Sequence, residues 1–591
     1  MASSRRKASA RESVSGAGLG RTALIVFALA LAVRLVYLGE IAKSPTFHVP
    51  VIDSASYDQH ARLLVEKGIF YQRFFWQGFL YPFFLAVVYF FTGGSMLWAR
   101  LIQILLGSLL CMLVYRLGIR LFDRRTGAVA GAIAALYGPL IFYDAELLDT
   151  GLSAVWAVVL VLLVLKARDA KGVRTAALVG VCGGLSVVTR ATFLPYIVVA
   201  CGWLLFAWRA RPVRPALVAA RGGLMLAGFL VVAMPVAQLC YRATGDFNFL
   251  SESGPINLYI GNNPERDRTI MIRPGSEWRE LTRMPTVKGS LGDSEDRDVF
   301  TRLFLDYVKT QPADFAKGLV GKVVEFFSSR ELPRNEDMYA ARRYSRLLSA
   351  LTWKAGAFGF PFGILVPLAL VGIVRYARRI PVPVYGFLLL YPAAIIGVFV
   401  SGRYRIPVVP MLAVPAAAGA LYCVDLVRAN RWPRAAMIAG AVCAIAAATS
   451  VAGPFAVEKF DYEAEMHTIV GFELMKQNRA REALAEFSET LRLEPDDADA
   501  HKYIGLIMSR ERRHDEAEAH LRKALEAEPD SYLIRYYLGG TLLNLGKRDE
   551  ALRYLREARA GAAAAKEEQL LKEIDRALGS LTGMQRGGDL P

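Results

Sequence analysis

The residues of this chain best suited to chemistry are one aspartate and a cluster of arginines. Asp53 stands in Val51-Ile-Asp-Ser-Ala-Ser-Tyr57-Asp58, and Arg403, Tyr404 and Arg405 stand in Gly402-Arg-Tyr-Arg-Ile-Pro407. Between them, Asp144, Glu146 and Asp149 fill Tyr143-Asp-Ala-Glu-Leu-Leu-Asp-Thr150, Arg190 interrupts a long apolar run, and Arg34 lies near the end of the first one. Arginine stays charged and grips phosphate through two parallel hydrogen bonds. A carboxylate can take the proton of an attacking hydroxyl. Together they suit transfer of a sugar from a lipid-linked phosphate: the arginines would hold the departing phosphate while the centre passes through an oxocarbenium-like state. Plainer uses compete. Asp53 and Asp149 could cap helices, Arg34 and Arg190 could reach for headgroups, and Asn262 in Gly261-Asn-Asn-Pro264 reads first as a turn residue that could also touch a donor sugar. Arg403 and Arg405 resist the plain reading, because short outer loops of membrane proteins avoid positive charge.

The elements that must position these residues are apolar. Of 591 residues, 54% are apolar and only 21% charged, which excludes disorder, collagen and a pure coiled coil. Eleven spans are expected, near Thr22–Leu38, Leu97–Tyr115, Gly127–Phe142, Gly151–Leu165, Thr175–Val188, Thr192–Trp208, Gly222–Tyr241, Gly356–Val374, Val384–Val400, Ile406–Val424 and Ala435–Val451. Several fall short of the roughly 20 residues a crossing needs and borrow from their flanks. The formal net charge of +17 would suggest nucleic acid for a soluble chain. With the N-terminus inside, six cytoplasmic segments, such as Arg116–Arg125 and Arg209–Arg221, carry basic residues that exceed their acidic ones by more than this whole charge. The charge therefore reports orientation, and no nucleic acid is expected. Asp53, Glu146, Asp149, Arg190 and Arg403 then fall on the outer face. The six cysteines all lie in expected spans, and the first apolar run is read as a retained span, since no A-x-A cleavage site follows it.

Outside the membrane the expectation is a helix over Ser54–Gly68, an aromatic stretch over Phe70–Phe91 lying as a helix at the interface, and a long polar loop, Arg242–Lys354, of mixed α/β or irregular structure. Residues 1–20 and 581–591 are expected to be disordered. The last part repeats every 34 residues: Gly471, Gly505 and Gly539; Ala483, Ala517 and Ala551; Phe487, Leu521 and Leu555; Pro495 and Pro529. That is the tetratricopeptide period, in which small residues let paired helices approach and a large apolar residue fills the groove. The array is expected over residues 461–580, closed by an amphipathic helix over Lys566–Leu578.

There is no HExxH, CxxC or Walker A pattern, and neither a metal nor a cofactor is expected. At the residues quoted, the chain resembles bacterial GT-C membrane glycosyltransferases, the group of the protein O-mannosyltransferases and lipid A aminoarabinose transferases, here with a C-terminal tetratricopeptide array. The resemblance covers about Arg21–Val451. It implies that Asp53 is the acceptor-side base, with Tyr57 in the same motif. It implies a second acidic site at Glu146 or Asp149, and that Arg190 and the Arg403–Pro407 segment face the lipid phosphate. The acidic-basic-Pro motif often found before the second span is replaced by Gln77-Gly-Phe-Leu-Tyr-Pro82. The expectation is an all-α membrane enzyme of the bacterial inner membrane with an outer active site. Its donor would be a polyprenyl-phosphate sugar and its acceptor a glycan, lipid or protein, with the repeats docking the acceptor or a protein partner. The alternatives are a flippase for a lipid-linked substrate and a non-enzymatic scaffold.

Overall fold

The computed structural model describes residues 16–69, 76–272, 278, 281–282, 293–450, 455–458, 461–565 and 567–586. Among these the chain is helical, apart from one antiparallel ribbon pairing Trp353–Ala355 with Phe358–Phe360. Every expected span overlaps at least one helix, but the count of eleven crossings is not confirmed. Among the described residues seven helices are long and apolar enough to cross: Gly20–Ile41, Met96–Leu121, Thr150–Asp169, Ala191–Arg209, Pro215–Thr244, Gly402–Arg428 and Trp432–Thr449. An eighth crossing results if Arg124–Ala135 and Gly138–Ala145, bent by 54° at their junction, count as one. The bend falls just before Pro139, whose ring cannot continue the preceding helix. The remaining helices, Arg174–Thr189, Phe362–Tyr376 and Val382–Gly397, have 16, 15 and 16 residues. The apolar run near Gly356 is shortened because its first residues form the ribbon.

The chain is nonetheless a multi-pass membrane protein. It separates into a unit of residues 1–44 and 53–459 and a second of residues 45–52 and 460–591. The described residues of the long loop are mostly helical, with amphipathic helices Asp293–Thr310 and Pro312–Phe327. Proline at the start of the latter fits a helix N-terminus, where its missing N–H is not needed. Within the aromatic stretch expected to lie as a helix at the interface, Leu80–Thr92 forms a short apolar helix; residues 70–75 lie outside the described residues, as do 1–15 and 587–591.

The second unit shows why the 34-residue period exists. Helices Tyr462–Lys476 and Ala480–Leu493, Ala498–Arg510 and His514–Ala527, and Tyr532–Asn544 and Arg548–Ala564 form three hairpins. A Cβ on Gly471, Gly505 or Gly539 would come within 2.7, 2.7 and 2.8 Å of Phe487, Leu521 and Leu555 respectively. The glycine of one helix thus receives the large residue of its partner helix. Ala483, Ala517 and Ala551 are fully buried. Four residues before the first two of these glycines the helices carry polar pairs: His467 Nδ1 lies 2.6 Å from Glu486 Oε2, and His501 Nδ1 2.9 Å from His520 Nδ1. The closing helix, Glu568–Arg586, runs into the segment expected to be a tail.

Candidate active site

Asp53 lies in the first turn of the helix Ile52–Lys67, where a carboxylate complements the helix N-terminus. Its oxygens are used at a distance. Gln77 Nε2 donates to Oδ1 at 3.1 Å, and Arg403 Nη1 lies 2.7 Å from Oδ2, an ion pair without the alignment of a hydrogen bond. Asp53 keeps 27% of its side chain exposed, against 8% for Arg403, so the carboxylate remains reachable. Burial alone would raise the Asp53 carboxyl. The Arg403 guanidinium, with Asn335 and Arg334 beside it, outweighs burial and holds it below its ordinary value.

Arg403 reaches this place because the chain kinks. Ser401 is extended, Gly402–Arg405 makes a single turn, and Pro407 and Pro410 start the long helix that follows. Arg403 Nη2 donates to the Tyr404 hydroxyl at 3.1 Å, while Nε and Nη1 make no hydrogen bond. Arg190 sits at the break between Arg174–Thr189 and Ala191–Phe193, where the sequence placed it. It holds Asp149 with two hydrogen bonds, Nε to Oδ2 at 2.9 Å and Nη2 to Oδ1 at 2.6 Å, and leaves Nη1 without one. The Tyr404 ring carries both cations, Arg403 at 4.8 Å and Arg190 at 5.0 Å from its centre. Gly78 lies against the Thr189 carbonyl so closely that a Cβ would collide with it, which brings the Gln77 segment up to this break. Tyr57 is buried edge-on against Tyr81. Burial raises its hydroxyl well above the ordinary value, and nearby Asp149 and Asp53 add to this.

Asp53, Tyr57, Asp149, Arg190, Arg403 and Tyr404 are therefore brought together. Three other candidates are committed to the frame. Arg34 and Asp144 form an ion pair at 2.7 Å with essentially no exposure, and Arg34 also donates to the Ala30 and Ala135 carbonyls. Arg405 spans the Phe326, Ser328 and Arg330 carbonyls and pairs with Glu331 at 2.9 Å. Asn262 donates to Leu258 and Gly397 carbonyls while Lys322 donates to its Oδ1 at 2.6 Å, so it shapes the loop. Glu146 follows the bent pair, in a turn whose Ala145 and Glu146 carbonyls are held by Arg100 and Gln103. Burial raises the Glu146 carboxyl, with Arg100 opposing. Burial and then Glu146 raise Glu336 well above its ordinary value.

Sequence reasoning missed Glu336, Asn335, Arg334 and Arg100. A signal existed for the first three: Glu331-Leu-Pro-Arg-Asn-Glu-Asp337 is a dense run of charge around a proline in an otherwise ordinary loop. Arg100 lay inside an apolar run and drew no notice. Among the described residues no three His, Cys, Asp or Glu side chains converge as a metal site requires.

Residues 77–237 match the family model described as dolichyl-phosphate-mannose-protein mannosyltransferase. That stretch of the chain is similar to a GT-C mannosyltransferase domain. That match includes Gln77, Glu146, Asp149 and Arg190 but neither Asp53 nor Arg403. Two tetratricopeptide models match residues 473–524 and 509–570. Solved structures similar to this chain include the apo oligosaccharyltransferase of Archaeoglobus fulgidus, at 15% identity and TM-score 0.40, covering 76% of this chain and 57% of that one. Another is the oligosaccharyltransferase AglB of the same organism in complex with an inhibitory peptide and a dolichol-phosphate, at 16% identity and TM-score 0.41, covering 79% and 59%. The chain spans less than two thirds of the length of these two proteins. No curated protein matches it significantly.

Proposed function

We propose that the mannosyltransferase-type domain transfers a sugar from a polyprenyl phosphate to an acceptor hydroxyl on the outer face of a bacterial inner membrane, with Asp53 as base. The observation that carries this is the Asp53–Arg403 pair, flanked by Arg190 on the shared Tyr404 ring. The two guanidinium groups, Arg403 and Arg190, suit a phosphodiester. On donor binding, the phosphate competes for Arg403, so Asp53 loses its cation and gains basicity when there is something to attack. The acceptor proton passes to Asp53, the acceptor oxygen bonds to the sugar C1, and the C1–O bond to phosphate breaks. The leaving polyprenyl phosphate keeps the electron pair, and Arg403 and Arg190 stabilise its charge.

Within this reading Asp149 orients Arg190. Glu146, beside Glu336, is the second acidic residue left for substrate. Tyr57 and Tyr404 line the site, Arg34, Arg405 and Asn262 hold its frame, and no cofactor is invoked. The repeats dock the acceptor or a protein partner. They are assigned to the outer side because the basic residues Arg428, Arg431 and Arg434, read as cytoplasmic, precede the last apolar run before the repeats. The test is mass analysis of envelope glycans and glycoproteins in a deletion strain complemented with the wild-type chain or with Asp53→Asn. Restoration by the wild type alone supports the reading, and equal restoration by both rejects it.

A further inference from the structure

The helix Val382–Gly397 ends shortly before Arg403. The last carbonyls of a helix have no partner within it, and here two side chains of the long loop take them. Asn262 Nδ2 donates to the Gly397 carbonyl at 3.0 Å and to the Val398 carbonyl at 3.3 Å. Lys322 Nζ donates to the same Val398 carbonyl at 3.0 Å, to Asn262 Oδ1 at 2.6 Å and to the Gly261 carbonyl at 3.2 Å. These three acceptors match the three protons of an ammonium group, and a cation at a helix C-terminus is favoured. A Cβ on Gly261 would collide with the Val398 carbonyl, so the Gly261-Asn-Asn-Pro264 turn comes this close only with glycine there. Lys322 is 5% exposed, although its helix Pro312–Phe327 leaves Val320, Val323 and Val324 exposed: the helix turns its cation inward. The grip continues to the site. Phe399, next after Val398, is buried with Ile256 and Ile260 of the same loop. Its ring centre lies 5.5 Å from that of Tyr404, the ring that carries Arg403 and Arg190.

We infer that Lys322 and Asn262 are positioning residues for Arg403: by holding the end of Val382–Gly397 they set where the Arg403–Tyr404 turn begins, and so the placement of Arg403 opposite Asp53. The inference deepens the proposed function and rests on it. It gives the Gly261-Asn-Asn-Pro264 turn a role that needs no contact with a donor sugar. Burial pulls the Lys322 amino group down to about 8, with Glu325 opposing and Arg266 adding to the fall. A neutral amine has one proton too few for the three acceptors, so the clamp is complete only below that value.

The test uses membranes of a deletion strain expressing each full-length variant, which supply their own donor and acceptor. The rate of forming the glycosylated product that the deletion strain lacks is followed by mass spectrometry across pH. Lys322→Met keeps the stem and removes the donors. It should lower the rate about tenfold, as when the competent geometry falls to roughly a tenth of the population. Its acidic limb should move to higher pH, because Asp53 loses the cation that chiefly holds its carboxyl down, with Arg334 and Asn335 remaining beside it. Added to Arg403→Gln it should cost little more, since the group it positions is already gone. A wild-type rate and limb in Lys322→Met, with Asp53→Asn inactive, overturns the positioning role and leaves the proposed function standing. An active Asp53→Asn overturns both. A lowered rate with an unmoved limb, or a full further loss on top of Arg403→Gln, marks general damage and also overturns it. If Lys322→Met does not accumulate, Glu325→Gln decides. Removing the carboxylate that supports the Lys322 charge should move the alkaline limb of the rate profile to lower pH, and an unmoved limb overturns the inference.

Discussion

Arg403 Nη1 stands 2.7 Å from Asp53 Oδ2, joining two residues 350 positions apart in sequence. It couples the group that would bind phosphate to the group that would take the proton. Arg403→Lys keeps the charge but loses the planar fork. The account expects transfer to fall roughly 10²-fold, the usual cost of removing one preorganised donor. Initial rates at saturating acceptor, with protein level checked by immunoblot, read this out.

The pH dependence follows from the same pair. The Asp53 carboxyl is held lower in the folded chain than in the unfolded one, so its ionised form adds stability that is present above the unfolded value. That stability is lost as pH falls through the folded value. With Asp53 as the proposed base, activity would require the same ionised carboxylate. Arg403→Gln removes the principal cation, so the acidic limb of the rate profile moves to higher pH. A pH–rate series on both proteins checks the direction.

Glu336 makes a separate prediction. Its carboxyl and that of Glu146 are both raised by burial, and Glu336 is raised further by Glu146. Two such groups titrate as a pair. Glu146→Gln should lower the Glu336 carboxyl and remove one ionisation from the profile of the enzyme, whereas a change at the exposed pair Arg125–Asp425 should leave the profile as it is.

Arg405 should behave as a frame residue. It is 1% exposed and tied to Glu331 and three carbonyls. Arg405→Met strands the Glu331 charge, which costs about 3–5 kcal/mol in comparable buried pairs. Lower thermal stability and poor accumulation are expected; a normal melting temperature with lost activity would instead indicate a substrate contact.

Gly505→Ala tests the repeat packing. The added methyl meets Leu521 at 2.7 Å, and such overpacking costs about 1–3 kcal/mol. The melting transition of the purified chain should fall accordingly.

The helical class and the repeats were legible because both rest on periodicity: apolar runs and a 34-residue recurrence. The number of crossings was not, because an apolar run such as Arg174–Thr189 has the right composition and too few residues, and Pro139 turns one run into two helices at an angle. Asp53, Arg190 and Arg403 stood out as charges at the ends of apolar runs. Their partners did not. The pairing of Asp53 with Arg403, or of Arg405 with Glu331, depends on tertiary approach that no local pattern encodes. For the same reason Arg34 and Arg405 looked like Arg403 in sequence, yet are buried in ion pairs. The attachment of residues 45–52 to the first repeat was likewise hidden, since Val49 and Val51 are ordinary apolar residues until Phe487 and Leu474 are placed beside them.

The central claim is that Asp53 serves as the base for transfer to the acceptor. Its most direct measurement is the initial rate of acceptor glycosylation by Asp53→Asn at a protein level and melting temperature matching the wild type. The account predicts a loss of about 10²-fold or more, the range of general-base catalysis. A rate within a few-fold of wild type would contradict it.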